Sequence, residues 1–119
     1  MAITASYLER NSAVALTLNN AAATQSIDIS DKSGERVVIF VDNQNSTEGQ
    51  TATVTISKGD YIASAAGALA VEVAKGAQTV IGPLETSRFK TFDGELNVAV
   101  AVTNSGTISN VKIGIIKLP

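Results

Sequence analysis

The chain reads as an all-β protein, and three observations say so. Apolar and polar residues alternate with period two in several short segments. Turn-forming clusters recur about every eight to twelve residues between them. No segment carries a convincing helical period. The expected architecture is a single β-sandwich, jelly-roll or immunoglobulin-like, of about seven or eight antiparallel strands. It is expected to fill residues 25–119, with residues 1–24 as an N-terminal arm. A chain of 119 residues buries about two-thirds of its unfolded surface, enough for one core without metals or disulfides.

The arm is rich in Ala, Asn, Ser and Thr, with Ile3, Tyr7, Leu8, Val14, Leu16 and Leu18 as scattered apolar anchors. Val14, Leu16 and Leu18 alternate and allow a strand, while the composition also allows a short helix over residues 6–10. Regular patterning begins at Gln25. Ile27 and Ile29 alternate with Asp28 and Ser30, and Asp31-Lys32-Ser33-Gly34 forms a turn cluster. The run Val37-Val38-Ile39-Phe40-Val41 is apolar at both parities, which predicts a central strand covered on both faces. A polar loop follows over residues 43–49. In residues 51–58, Ala52, Val54 and Ile56 face one way and a row of threonines the other. Their branched Cβ atoms favour extended backbone.

Gly59-Asp60 opens a longer connection through Tyr61 to Gly67. Leu69, Val71 and Val73 then alternate, Lys75-Gly76 turns the chain, and residues 78–81 form the next strand. Asp93-Gly94 is a hairpin signal, because the pair supports turns whose twist matches the strands. Residues 95–103 hold the longest alternation, with Leu96, Val98, Val100 and Val102 on one face. After Asn104-Ser105-Gly106 the last strand runs over residues 108–118. Its apolar parity changes beside Gly114, from Val111, Ile113 and Ile115 to Ile116 and Leu118, which predicts a bulge. The expected core collects the inward residues of these strands, from Ile27 to Ile115, with Leu69 and Val71 included.

One stretch interrupts the pattern: Val80-Ile81-Gly82-Pro83-Leu84-Glu85-Thr86-Ser87-Arg88-Phe89. Pro83 lacks an N–H and cannot sit in a central ladder. Gly82 takes backbone geometry that other residues resist. The strand is expected to end or turn here, with an extended segment over residues 84–89 leaving at an angle. Gly82, Pro83, Leu84, Glu85, Arg88 and Phe89 are therefore expected to form a structural corner, or else a binding loop. Glu85 and Arg88 are placed to pair across the bend or to reach backbone groups that the Gly-Pro step leaves open.

Composition narrows the chemistry. The chain has no Cys and no His, which removes thiol and imidazole catalysis, disulfides and most zinc, copper and iron sites. The formal charge is −2 and the basic residues are scattered, so no nucleic-acid partner is expected. Aromatic residues are 4% of the chain and supply no evident stacking platform. The carboxylates Asp28, Asp31, Asp93 and Glu95 sit at turns, where acids are ordinary surface residues. Residues 42–48 are rich in Asn, Gln and acids but fit no calcium loop. No catalysis, metal or cofactor is expected. Neither a secretory leader nor a membrane span is expected, since Glu9 and Arg10 interrupt the N-terminal segment and no apolar run is long enough.

The order of segments resembles a known family. It runs from Arg36-Val-Val-Ile-Phe-Val-Asp-Asn43 through Ile56-Ser-Lys-Gly-Asp60 and Leu69-Ala-Val-Glu-Val-Ala-Lys-Gly76. Val80-Ile-Gly-Pro-Leu-Glu85, Arg88-Phe89 and a closing Ile115-Ile-Lys-Leu-Pro119 complete it. This is similar to the small β-sandwich head decoration, or cement, proteins of tailed phages and prophages. The resemblance covers about residues 25–119, and its most specific part is Gly-Pro-Leu-Glu with the following Arg-Phe. It implies a structural virion protein on the outer capsid surface, made in the host cytoplasm, with the major capsid protein as partner and no catalytic residue. A homo-oligomer is expected, and a trimer would suit a three-fold position. The alternative is a carbohydrate- or receptor-binding module of a tail or spike, against which the low aromatic content counts.

Overall fold

The computed structural model describes residues 2–30 and 36–119, so the turn expected at residues 31–34 lies outside it. The described chain is predominantly β. The arm supplies three short strands, β1 (Ala2–Thr4), β2 (Ser6–Tyr7) and β3 (Asn19–Asn20). Seven more follow: β4 (Thr24–Asp28), β5 (Arg36–Asn43), β6 (Ala52–Ile56), β7 (Leu69–Val73), β8 (Gln78–Glu85), β9 (Glu95–Val102) and β10 (Val111–Leu118). One sheet has the order β1-β4-β9-β6-β7. The other has the order β2-β10-β5-β8, with β3 also on β10. Both sheets feed one hydrophobic cluster, in which Ile27, Val54, Ile56 and Leu96 meet Val37, Ile39, Val111 and Ile113. Leu69 and Val71 only border that cluster, because β7 closes its sheet as an edge strand.

The sheets are mixed rather than purely antiparallel. β1 runs parallel to β4, with Ile3 opposite Ile27, and β2 runs parallel to β10. Ala5 is the single residue between β1 and β2, so the arm changes sheets in one step. Ile3 joins the core as it does so.

Arg36–Asn43 is the central strand its sequence predicts, flanked by β10 and β8. Val37, Ile39 and Val41 are buried in the core, while Val38 and Phe40 face the opposite side and are half-buried. β10 is likewise apolar on both faces, and its pairing with β5 is unbroken from Val111↔Asn43 to Leu118↔Arg36. The bulge expected at Gly114 is therefore absent. The parity change has another cause: arm residues 16–18 lie over Gly114, and a Cβ there would stand 2.7 Å from Leu16 Cδ1 and 3.1 Å from Thr17 O. Ile116 is buried on this outer face, beside Leu8, Val14 and Leu16.

The ladder is irregular in β8 instead. Val37 pairs with Leu84 and Ile39 with Ile81, so Gly82 and Pro83 together oppose Val38. A strand with two residues against one carries a bulge. Gly82 has φ +121° and Gly82-Pro83 is cis. Because β8 is an edge strand, the N–H that Pro83 lacks is not missed by a neighbour. The extra residue also restores parity, so Ile81 and Leu84 both reach the core although three positions apart. The corner expected at Gly82-Pro83 is thus a bulge within a strand. The segment beyond it is not extended: Thr86–Phe89 is one helical turn, α1, closed by Lys90 N–H donating to Thr86 O at 2.8 Å. That turn drops Phe89 into the core.

Candidate binding surfaces

All six corner residues line one surface pocket of about 420 Å³. Gly82, Pro83, Leu84, Glu85, Arg88 and Phe89 form one side, and Ala63, Ala66 and Leu69 the other. Ala63 and Ala66 belong to a 3₁₀ segment, Ile62–Ala66, which packs on α1, and Leu69 opens β7. Arg88 joins the two. Its Nε donates to Gly67 O at 3.0 Å, and its Nη2 to Ala66 O and Ala68 O at 3.4 and 3.3 Å. The guanidinium carbon sits 4.7 Å from the centroid of the Phe89 ring, a cation–π distance. Arg88 therefore ties down the 66–68 loop rather than bridging to Glu85 or capping the Gly-Pro step. Gly59 completes this end of the molecule. Its N–H donates to Arg88 O at 2.8 Å, and any Cβ would run into the backbone of Phe89 and Lys90. The pocket holds one acid and one base, with the base spent on carbonyls.

Beyond that pocket the same end exposes an apolar cluster, where Tyr61 and Ile62 line a further pocket of about 580 Å³ with Thr86, Ser87 and Lys90. Tyr61 and Phe92 stack edge to face with centroids 5.1 Å apart. Ile62 beside them is 96% exposed and Phe92 is 72% exposed. Phe92 N–H donates to Asp60 Oδ2 at 2.9 Å, which pins the 91–94 turn to the 59–62 connection. Sequence reasoning passed over these three residues as parts of turns. The available signal was their size, since large apolar side chains inside Gly-Asp and Asp-Gly turn clusters have no reason to be there for folding.

A second apolar surface lies on the outer face of the β2-β10-β5-β8 sheet. Leu16 and Leu18 from the arm, Phe40 and Val41 from β5, and Gln78, Thr79 and Val80 from β8 line a groove of about 400 Å³. Asp42 stands at its rim and accepts from Gln44 and Gln78 side-chain amides at 3.0 and 3.4 Å. Val80 is 60% exposed, and Val14, Leu16 and Leu18 are also open to solvent.

Polar chemistry is sparse by comparison. Among the described residues no group of three or more acids, His or Cys could hold a metal. Among the described residues, Asp28 has its carboxylate pKa lowered, because Ser30 donates to its Oδ1 from both hydroxyl and backbone N–H, at 2.6 and 2.9 Å. The buried polar side chains are built into the fold. Asn43 donates to Gln50 O and Val73 O, and accepts from Asn45. Asn45 in turn exchanges two hydrogen bonds with Thr107. Comparison with protein-family models, curated proteins and solved structures returned no match.

Proposed function

We propose that this chain is a structural virion protein, a non-enzymatic β-sandwich that binds the outer surface of a tailed-phage capsid and reinforces it. The observation that carries the reading is how the surface is divided. Among the described residues no buried side-chain nitrogen or oxygen lacks a hydrogen-bond partner, while large apolar side chains such as Ile62, Phe92 and Val80 stand exposed on the outside. Such area on a small soluble domain marks a protein–protein surface. The partner is the major capsid protein, and the protein acts as a homo-oligomer on the particle after synthesis in the host cytoplasm. Many repeated weak contacts on a lattice would give firm attachment.

The test is co-sedimentation of the purified protein with tailed-phage capsids that lack it. Saturable binding at a fixed ratio, and a higher temperature of particle disruption, are expected. A protein that stays in the supernatant at every concentration overturns the reading. The exposed Tyr61–Phe92 pair favours the second reading, a carbohydrate- or receptor-binding module, because an open aromatic face can stack on a sugar. A glycan array distinguishes them: selective glycan binding lost in Phe92→Ser, without capsid binding, selects the module.

A further inference from the structure

Residues 8–18 join β2 to β3, and both of those strands lie along the edge of β10 that β5 leaves free. Tyr7 stands opposite Lys117, and Asn19 opposite Ile113. Four residues of strand separate these two anchor points, about 13 Å. The segment between β2 and β3 can reach roughly 36–40 Å, so far more chain is present than the gap needs. The surplus turns at Arg10 and Asn11, the latter with φ +55°, and returns across the outer face of β5 and β10.

This strap is held at its ends and hardly between them. Leu8 N–H donates to Lys117 O at 2.9 Å, and the Asn19 side-chain amide to Ile113 O at 3.5 Å. Among the described residues, 9–18 make no backbone hydrogen bond to either sheet, and all ten are exposed. Partial apolar contact is what holds them, since Val14, Leu16 and Leu18 stay 38%, 42% and 44% exposed. A cavity of about 370 Å³ is lined by Val14 and Leu16 of the strap together with Val38, Phe40 and Ile116 of the sheet. Ile116 is nevertheless buried there. Exposed backbone with few hydrogen bonds and shallow apolar burial marks the least stable parts of a fold. The paired parts of the arm differ, because Ile3 sits in the core and the ladders hold β1, β2 and β3.

We propose that residues 9–18 are a strap that opens as one unit while β1, β2 and β3 stay paired, uncovering Val38, Phe40 and Ile116 on the outer sheet face. In the closed state the occupant of that face is this chain's own segment. Any molecule that uses the face must first displace the strap, so the contact is autoinhibitory. The inference follows from how the arm is attached and does not rest on the capsid reading.

The chain has no Cys, so single introduced cysteines report access cleanly. Three variants of the full chain are reacted with a maleimide dye: Ile116→Cys under the strap, Ile3→Cys in β1 and Ile39→Cys in the inner core. Circular dichroism checks each fold. Ile116→Cys should label at least about 100-fold faster than the other two, because local opening costs far less than unfolding. Its rate should change little in low urea, since an opening strap exposes little surface, while the other two rates rise steeply. Slow labelling at one common rate overturns the proposal, because the face would then be uncovered only by global unfolding. Equally fast labelling of Ile116→Cys and Ile3→Cys also overturns it, because the whole arm would leave together. So does labelling of Ile116→Cys at the rate of the urea-unfolded chain, which would leave no closed state. Should Ile116→Cys fail to fold, methyl relaxation dispersion on the unaltered chain replaces it. Exchange shared by Val14, Leu16 and Ile116 and absent from Ile3 then supports the strap, and no exchange at Ile116 overturns it.

Discussion

Gly82 shows how much one residue can determine. Its φ of +121° lies where L side chains are rarely found, and an added Cβ would stand 2.8 Å from both Val37 O and Leu84 N. Gly82→Ala is therefore expected to destabilise the protein by about 1–3 kcal/mol, read from the denaturant midpoint in urea. An unchanged midpoint would mean that the backbone relaxes freely there. The residue identities in Gly-Pro made an irregularity legible in the sequence, but not its form. Whether a Gly-Pro step ends a strand or bulges within it depends on the neighbouring strand, here Val38 of β5. Asp28 offers a second test at this scale. Two Ser30 donors stabilise its carboxylate, so its folded pKa lies below its usual 3.8. A lowered carboxylate stabilises the fold above the unfolded pKa, and that contribution is lost as pH falls through the folded value. NMR titration should find Asp28 below the ordinary range, and Ser30→Ala, which keeps the backbone donor, should move it part of the way upward; no movement would remove the Ser30 hydroxyl as a cause.

Among the elements, β10 depends most on context. The sequence shows a strand with apolar residues on both parities, a pattern that a bulge and a second covering layer explain equally well. The covering layer is the arm, and its seat is Gly114, where residues 16–18 pass too closely for a side chain. Gly114→Val is expected to lift that segment and uncover Ile116. Arg10 is exposed in the arm and reports the change. Trypsin should cut there faster than in the unaltered chain, while the circular dichroism of the sheets stays the same. Equal cleavage rates would mean that the arm does not depend on this seat. β1, β2 and β3 were not legible as strands, because two or three residues carry no measurable period. The α1 turn was misread as strand for a related reason. In a strand Leu84 and Phe89 would lie on opposite faces, and the helical turn between them brings both into one core.

At the scale of the molecule, the β class and most of the core follow from alternation alone, since burying one face needs no knowledge of topology. The surfaces were less legible, because exposure of Ile62 or Val80 depends on what lies beside them in space. The arm is where these levels meet. It pairs with β4 in one sheet and β10 in the other, places Ile3 in the core and covers Ile116. Deleting residues 1–20 therefore removes part of the fold as well as a contact surface. Burial of Ile3 alone is worth about 1.5–3 kcal/mol. With the cover over Ile116 also gone, the melting temperature should fall by about 10 °C or more for a domain of this size. The β signal should remain at low temperature, because β4–β10 keep their mutual pairings. The bared edge of β10 should also promote association through strand pairing, visible as light scattering that grows with concentration. An unchanged melting temperature would show the arm to be an appendage that contributes no stability. If the melting temperature falls as expected, loss of capsid binding on truncation would not by itself identify the arm as an anchor. Exposed point changes such as Leu16→Asp, which leave the pairing of β1–β3 in place, separate the two roles.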